Sequence, residues 1–339
     1  MKKEVVIVGA GPGGLSAAET LAKAGKEVLV LEQKKIIGNK VCAGGLTINA
    51  MKLGIPSSLF QRKFKKIILH DPKETVNVEL NKTIVATIDR KDLGRWMANK
   101  AKKAGAEIET ETRVKNIGKN FIEADDKKIQ FKYLIGADGA NSIIRRHLGL
   151  DSKKILSAFQ YILPRKFKNL EIFVDPDKFG PVYAWIFPYA NTTSIGTGAD
   201  LDYKGIKLNT IKNNFDAWSR KKGYDTKNSE FQAHIINYDY QGHQFGKKFL
   251  IGDAGGFASG LTGGGMYQAM TSGKDVAQKI IDPKYNCPEI HRILTNKAIE
   301  EAILAALEIN KTASKIGYAL IAKMCKTQLL GKFFAEHLG

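Results

Sequence analysis

The chain has 339 residues, of which 43% are hydrophobic and 26% charged, with 33 glycines and 9 prolines. This composition excludes a disordered or collagen-like chain and supports a buried core. The length predicts about two domains, or one large α/β unit with an embedded second one. No apolar run reaches the roughly eighteen residues that a membrane-spanning helix needs, so we expect none. Three cysteines and six histidines show neither disulfide nor metal-ligand spacing, which predicts no metal site.

The net charge is +19, from 53 Lys and Arg against 34 Asp and Glu, and only nine of the basic residues are arginines. Arginine makes the bidentate contacts that nucleic-acid recognition favours, whereas these lysines are spread in pairs along the whole chain. We therefore expect a solvated basic surface and no nucleic-acid partner. Attraction to an anionic membrane or to a phosphorylated substrate is the alternative use of this charge.

The pattern of apolar residues in 1–150 predicts alternating strands and helices. Apolar runs at 4–8 and 28–31 are typical of buried parallel strands, with a helix between them that ends near Gly25. Residues 89–104 predict an amphipathic helix with Asp89 as its N-cap. Shorter strands are predicted at 107–110, as a hairpin within 121–131, and at 133–135.

Residues 151–239 differ in composition from the segment before them, because their short apolar runs are rich in aromatic and β-branched residues. They predict an antiparallel sheet, and the strand pair at 65–70 and 75–80 is expected to join it. A helix is predicted near 207–222. Helices also follow the glycine-dense turn after residue 251, and the last of them repeats Ile316, Leu320 and Met324 at four-residue spacing.

The first strand is followed by a Gly-x-Gly-x-x-Gly turn that opens a helix. Such glycines let the backbone approach a pyrophosphate, and the helix N-terminus stabilises its negative charge. Glu32, at the end of the second strand, is placed to bind a ribose hydroxyl pair. The sequence therefore predicts a dinucleotide site that includes Gly9, Gly11, Pro12, Gly13, Gly14, Glu32 and Gln33.

Two later segments end a strand in an acid next to glycine: Asp138 with Gly139, and Gly252 with Asp253. In order and spacing the three motifs resemble the fingerprints of FAD enzymes with the para-hydroxybenzoate hydroxylase fold. That resemblance implies FAD as cofactor, with Asp138 near the flavin and pyrophosphate and Asp253 holding the ribitol chain.

A Tyr-x-Trp-x-Phe-Pro run followed by Gly196 resembles the signature of the geranylgeranyl reductase family. Strand alternation puts Tyr183, Trp185 and Phe187 on one face, which suits a long apolar chain. The resemblance implies that Pro188 and Gly196 belong to the same substrate site. It also implies that the glycine-rich stretch after Asp253 packs on the flavin, through Gly263, Gly264, Gly265 and Met266. Gly260 stands where relatives usually carry proline.

The loop around Cys42 is also similar to that family, in which a cysteine lies near the flavin and affects turnover. A thiol there is able to relay a proton, and Lys40 is placed to lower its pKa; a small buried structural cysteine is the alternative. The resemblance implies cofactor contacts from Cys42, Ala43, Gly44, Arg90 and Val114.

The expected fold class is α/β: a Rossmann-type FAD-binding domain with an interleaved antiparallel β-sheet substrate domain and a helical C-terminal region. The predicted FAD-binding domain is discontinuous, covering 1–58, 81–150 and 240–285. The substrate sheet takes 59–80 and 151–239, and the C-terminal helices take 286–339.

The resemblance implies an FAD-dependent oxidoreductase that saturates C=C bonds of geranylgeranyl chains, in archaeal members those of a membrane phospholipid. Cys42 and Tyr183 are the candidate catalytic residues. The expected partners are a polyprenyl lipid and an external electron donor, which the sequence leaves open between ferredoxin, NAD(P)H and deazaflavin. A flavin monooxygenase acting on an aromatic substrate and an FAD-binding electron carrier remain the alternatives.

The C-terminal residues 311–339 carry five lysines and one glutamate beside Leu329, Leu330, Phe333 and Phe334. Such a segment is typical of a helix at a membrane interface, although packing on the core is the more frequent outcome. The first apolar strand starts too early for a signal peptide. We therefore expect a cytoplasmic protein in peripheral contact with the inner face of an anionic membrane.

Overall fold

The computed structural model describes residues 1–327, and its largest sheet has eight strands. They are β1 (Lys2–Val8), β2 (Val28–Leu31), β8 (Glu107–Glu109), β9 (Val114–Ile117), β10 (Phe121–Ala124), β11 (Lys127–Gly136), β17 (Gln244–Phe245) and β18 (Lys248–Leu250). β1 pairs in parallel with β2 and β11, β2 with β8, and β11 with β18. The carboxyl ends of these parallel strands therefore meet at one edge of the sheet, where α/β proteins bind ligands.

Both faces of this sheet are covered, which explains why β1 and β2 are continuous apolar runs. Val5 and Ile7 pack towards the helices α1 (Pro12–Lys23), α3 (Arg90–Lys103) and α7 (Met266–Ile281). Val6 and Val8, which alternate with them, pack with the meander formed by β9, β10 and the first half of β11. One predicted detail is wrong: residues 127–136 form a single strand, without a break before residue 133.

A second sheet has seven strands, which are β5 (Lys66–His70), β6 (Thr75–Glu79), β12 (Ile155–Leu163), β13 (Leu170–Val174), β14 (Tyr183–Pro188), β15 (Thr193–Asp200) and β16 (Glu230–Asn237). Their order across the sheet is β16-β12-β15-β14-β13-β5-β6. All neighbours are antiparallel except β5 and β13. The strand pair β5–β6 thus joins this sheet, as the sequence predicts.

A three-stranded sheet consists of β3 (Gly45–Thr47), β4 (Phe60–Phe64) and β7 (Val85–Ile88). β4 pairs with β7 and not with the seven-stranded sheet, although residues 59–80 are predicted to belong there as a block. The seven-stranded sheet therefore begins at Lys66. The predicted domain boundaries themselves stay a prediction.

The remaining helices are α2 (Ile48–Met51), α4 (Ile143–His147), α5 (Pro176–Phe179), α6 (Leu208–Lys221), α8 (Pro288–Glu308) and α9 (Lys311–Cys325). α8 packs on two hydrophobic clusters. Ile290 belongs to the cluster formed with α1, α3 and α7, and Leu304 belongs to the cluster formed with the seven-stranded sheet. α9 buries Tyr318, whereas Ile316 and Leu320 are 57% and 55% exposed. Within residues 1–327 no helix combines the length and apolarity that crossing a bilayer requires. Leu329, Leu330, Phe333 and Phe334 lie outside the described residues.

Candidate functional site

The turn between β1 and α1 contains four glycines. At three of them the surrounding backbone leaves no space for a Cβ atom, and at the fourth it does. Gly9 has φ +103°, and a Cβ there would lie 2.3 Å from the carbonyl oxygen of Ala137. A Cβ on Gly14 would lie 2.0 Å from the carbonyl oxygen of Gly9, and one on Gly13 2.9 Å from that of Ala269. A Cβ on Gly11 would meet nothing closer than 3.9 Å. Gly11 therefore leaves space beside the loop that the protein's own packing does not use.

The start of α1 offers backbone N–H groups to that space. Gly11 is the N-cap and Pro12 follows it, so no side chain caps the helix. Uncapped N–H groups and the helix dipole together favour a negatively charged ligand. Glu32 lies at the edge of the same loop, where its Oε2 accepts a hydrogen bond from Ala10 N at 2.8 Å and its Oε1 one from Lys34 N at 2.9 Å. Gln33, next to it, is exposed.

Asp138 follows the end of β11 beside this loop. Its Oδ2 accepts hydrogen bonds from Ile143 N at 2.7 Å and Ile144 N at 3.4 Å, so the carboxylate stabilises the start of α4. Its Oδ1 is enclosed and has no hydrogen-bond partner within the described residues, and burial raises the pKa of this carboxyl group. Gly139 has open space around its Cα. Val114, by contrast, is buried in β9 among apolar neighbours.

Asp253 lies at the start of the glycine-rich segment, after β18. Its Oδ2 accepts a hydrogen bond from Lys40 Nζ at 2.7 Å, and its carbonyl oxygen accepts one from Asn237 Nδ2 at 2.9 Å. The preceding Gly252 has φ +55°, a conformation that favours glycine. Lys40 is thus engaged with the Asp253 carboxylate, although the sequence suggests the Cys42 thiol as its neighbour.

A cavity of about 300 Å³ lies between the seven-stranded sheet on one side and, on the other, the loop around Cys42, the start of α3 and the glycine-rich segment after Asp253. On β12, Tyr161 points away from it and stacks on Phe215 of α6 at a centroid distance of 6.3 Å. Phe159 meets the same ring edge-on at 5.5 Å and also contributes to the cavity lining. Ala158 and Gln160, of opposite parity, line the cavity. Most of the predicted site residues line it as well, namely Pro12, Cys42, Ala43, Gly44, Arg90, Tyr183, Trp185, Phe187, Asp253, Gly263, Gly264, Gly265 and Met266.

Tyr183, Trp185 and Phe187 form one wall of the cavity, as strand alternation predicts. Their ring centroids are 6.2 and 6.5 Å apart along β14. Gly196 lies across from Trp185 on β15, and a Cβ there would be 2.4 Å from Trp185 Cζ2, so this glycine makes room for the indole. Pro188 is buried beyond the wall and does not line the cavity.

The hydroxyl group of Tyr183 forms its hydrogen bond with the opposite side of the cavity. It donates a hydrogen bond of 2.5 Å to the carbonyl oxygen of Thr262, in the glycine-rich segment. Burial raises the pKa of Tyr183 to about 12. The phenol therefore stays neutral, and its proton is directed at a backbone carbonyl and not at the cavity.

The Cys42 loop is held against the cavity by its backbone. Cys42 Sγ accepts a hydrogen bond from Gly44 N at 3.3 Å, and the Cys42 carbonyl oxygen accepts one from Gln160 Nε2 at 3.3 Å. Tyr189 donates through its hydroxyl group to the carbonyl oxygen of Ala43 at 3.0 Å. The thiol of Cys42 is half-buried in the wall, within the same cavity as the aromatic row.

Two cavity residues, Gln160 and His234, were not singled out from the sequence. Gln160 is 2% exposed and joins Cys42 to Ser194. His234 projects from β16 on the same face as Ile236, and both line the cavity. The period-two alternation of β16 places them on one face, but only the pairing of β16 with β12 shows that this face is the cavity side.

The comparisons with known proteins agree with this arrangement. The model of a family described as FAD binding domain matches residues 2–284. The chain is 30% identical to a digeranylgeranylglycerophospholipid reductase of Methanocaldococcus jannaschii, over 82% of this chain and 77% of that protein. It is 27% identical to a geranylgeranyl diphosphate reductase of Rhodobacter capsulatus, over 82% and 75%. The chain belongs to the geranylgeranyl reductase family of FAD-binding proteins.

Solved structures confirm the predicted fold. A geranylgeranyl bacteriochlorophyll reductase-like protein from Thermoplasma acidophilum superposes with a TM-score of 0.80 at 20% identity, covering 99% of this chain and 96% of that one. A probable FAD-dependent monooxygenase from Pseudomonas aeruginosa superposes with a TM-score of 0.67 at 17% identity, covering 98% and 99%. The geranylgeranyl reductase family thus shares its architecture with flavin enzymes of other chemistry.

FAD is the cofactor of this oxidoreductase family member, and the described residues fit it. The open side of Gly11 and the uncapped start of α1 suit the pyrophosphate. Arg90, the first residue of α3, lines the cavity with an enclosed Nε that lacks a partner within residues 1–327, and Asp138 Oδ1 is unpaired in the same way. Enclosed polar atoms without partners indicate a missing ligand. The contact of each individual residue with FAD stays a prediction.

Proposed function

We propose that this geranylgeranyl reductase family member reduces C=C double bonds of geranylgeranyl chains, those of an archaeal-type membrane phospholipid precursor in particular. The observation that carries the proposal is the cavity, whose wall is the aromatic row Tyr183, Trp185 and Phe187. Aromatic faces beside a flavin site suit an apolar chain that offers no hydrogen bonds. The names of two relatives, at 27% and 30% identity, support the same substrate class.

Reduced FAD supplies the hydride for such a reaction, and the protein has to place the alkene and deliver a proton. Trp185 Nε1 donates a hydrogen bond to Ser194 Oγ at 2.9 Å, and this bond fixes the orientation of the indole against which the prenyl chain packs. The apolar lining excludes water from the reacting carbons.

Of the two candidate catalytic residues, Cys42 is the better proton source. The Tyr183 proton is directed at Thr262, and its pKa of about 12 makes the phenol a weak acid. The Cys42 sulfur accepts a hydrogen bond from Gly44 N, so its own proton is left available to the cavity that it lines. We assign Tyr183 to holding the glycine-rich segment and Cys42 to proton delivery.

The lipid substrate implies contact with a membrane surface. We propose that Ile316 and Leu320, on the exposed face of α9, insert at the interface, while the net charge of +19 attracts anionic headgroups. Two lysines of this helix, Lys311 and Lys315, form ion pairs with Asp177. The buried Tyr318, which donates to the carbonyl oxygen of Pro181 at 2.7 Å, fastens α9 to the body of the protein, so the apolar stripe is presented on a fixed support.

An anaerobic single-turnover experiment tests the reaction. The purified protein is reduced with dithionite, mixed with a geranylgeranyl phospholipid, and followed by flavin absorbance and by mass spectrometry of the lipid. Reoxidation of the flavin with a gain of one H₂ per reduced double bond supports the proposal. A flavin that stays reduced until oxygen is admitted, and then turns over only with an aromatic substrate, indicates the monooxygenase alternative. A flavin that neither reduces the lipid nor oxygenates an aromatic substrate, and passes its electrons only to an added acceptor, indicates an electron carrier.

The electron donor is proposed to be an external partner that reduces the bound flavin between turnovers. Ferredoxin, NAD(P)H and deazaflavin are the three candidates. Each is added anaerobically to the oxidised holoenzyme, and the rate at which the flavin absorbance bleaches identifies the competent donor.

A further inference from the structure

His234 projects into the cavity from β16, the edge strand of the seven-stranded sheet. In the strand register it lies across from Ala158 of β12, and Ala158 in turn lies across from Gly198 of β15. Ala158 and Gly198 both line the cavity. Because these neighbours are small, the imidazole stands above a shallow floor and is not covered by the sheet.

The Nε2 atom of His234 is enclosed yet has no hydrogen-bond partner within the described residues. Buried polar atoms of native proteins are nearly always paired, with protein, water or ligand. Arg90 Nε, on the same cavity, is unpaired in the same way. Two unpaired nitrogens on one cavity point to a polar ligand there.

The charges around His234 fix the form in which it would meet that ligand. Burial, together with the positive charges of Lys40, Lys34 and Arg90, lowers the pKa of His234 to about 4, and the Asp253 carboxylate opposes this shift only in part. The imidazole is therefore neutral at pH 7. A neutral ring presents one N–H donor and one acceptor without burying a further charge.

The residues that share the cavity with His234 distinguish cofactor from substrate. Arg90 and Asp253 line the same cavity as His234, and both are predicted FAD contacts. A polyprenyl chain has no hydrogen-bonding group to satisfy a ring nitrogen, whereas FAD carries donors and acceptors along its flavin ring and ribityl chain. We propose that His234 is a cofactor-binding residue whose Nε2 forms a hydrogen bond with bound FAD. The inference stands whichever substrate the enzyme reduces.

The test measures release of FAD from the holoenzyme. Wild-type protein and the variants His234→Leu, His234→Gln and His234→Asn are diluted serially, and the fluorescence of freed FAD gives the dissociation constant. Loss of one hydrogen bond to the cofactor predicts an affinity about tenfold weaker for His234→Leu. Glutamine places its amide near the position of Nε2 and asparagine near that of Nδ1, so glutamine is expected to restore binding and asparagine is not.

His291→Gln is the matched control, because His291 is an exposed imidazole that does not line the cavity. Its FAD affinity is expected to equal that of the wild type. A wild-type affinity for FAD in His234→Leu would overturn the proposal. If the KM for the substrate is raised in the same variant, that result assigns His234 to the substrate. If the leucine variant fails to fold, the comparison of glutamine with asparagine decides the question alone.

Discussion

Replacing Gln160 by leucine is expected to destabilise the protein by about 2–3 kcal/mol, although both side chains are of similar size. Gln160 Nε2 donates to the carbonyl oxygen of Cys42 at 3.3 Å and to Gln232 Oε1 at 2.6 Å. Its Oε1 accepts from Ser194 Oγ at 2.8 Å, and Ser194 Oγ accepts from Trp185 Nε1 at 2.9 Å. The side chain thus joins the Cys42 loop to the aromatic wall.

The magnitude follows from the groups that leucine leaves unpaired. The fully buried Ser194 hydroxyl still accepts from Trp185 Nε1, but its proton loses its acceptor, and a buried donor without an acceptor costs about 1–3 kcal/mol. The Cys42 carbonyl and the Gln232 amide are only partly buried, so water replaces part of what they lose. Ser194→Ala leaves Trp185 Nε1 and Gln160 Oε1 unpaired and is expected to cost about 1–2 kcal/mol.

Urea unfolding followed by circular dichroism measures both single variants and the double variant. The Ser194–Gln160 hydrogen bond is lost in either single variant, so the double variant should be about 1 kcal/mol more stable than the sum of the single losses predicts. Gln278→Leu, at an exposed position of α7, serves as the control and should change stability by less than about 0.5 kcal/mol. Additive losses, or a loss below about 0.5 kcal/mol for Gln160→Leu, would refute the network as a structural unit.

Three further predictions, which use four variants, test other parts of the molecule. Gly11→Ala should fold normally but bind FAD at least about tenfold more weakly, whereas Gly9→Ala should fail to fold because its Cβ meets a backbone oxygen; circular dichroism and the flavin content of the purified proteins check this. The pKa of Glu308 is raised to about 7 by burial beside two aspartates, so folding takes up a proton between about pH 4.5 and 7. Stability should therefore fall by about 2 kcal/mol as the pH rises from 5 to 8, and Glu308→Gln should remove that slope in urea titrations. Replacing Ile316 and Leu320 together by glutamate should abolish sedimentation with anionic vesicles while leaving the melting temperature within a few degrees of wild type, and undiminished sedimentation would contradict the proposed membrane contact.

The sequence predicted those features that depend only on residues close together in the chain, such as a helix cap or the alternation of a strand. The helix expected at 89–104 spans Arg90–Lys103, and Asp89 caps it through hydrogen bonds to Lys91 N and Asp92 N. The aromatic row on β14 follows from strand alternation alone. In each case the information lies within a few residues of the feature.

The features that the sequence did not predict depend on contacts between distant segments. Gln160 bonds to Cys42, which is 118 residues away in the chain. The four-residue repeat of Ile316 and Leu320 resembles a buried stripe, yet α9 buries Tyr318 on another face, because that tyrosine reaches the carbonyl oxygen of Pro181 at 2.7 Å. Spacing identifies an apolar face, but only the neighbouring elements decide which face is covered.

The seven-stranded sheet has a second role besides its proposed one as the wall for a substrate. Loops rich in glycine lose much conformational entropy on folding, so the Cys42 loop and the segment after Asp253 need to be held in place. Side chains of the sheet domain hold them by donating to their carbonyl oxygens, in the pairs Gln160 to Cys42, Tyr189 to Ala43, Asn237 to Asp253 and Tyr183 to Thr262. Since these donors bind backbone atoms, the loops can remain glycine-rich and admit a flat cofactor. The order of the FAD site therefore depends on the sheet that faces it, and a change in the aromatic wall is expected to alter cofactor binding as well as substrate binding.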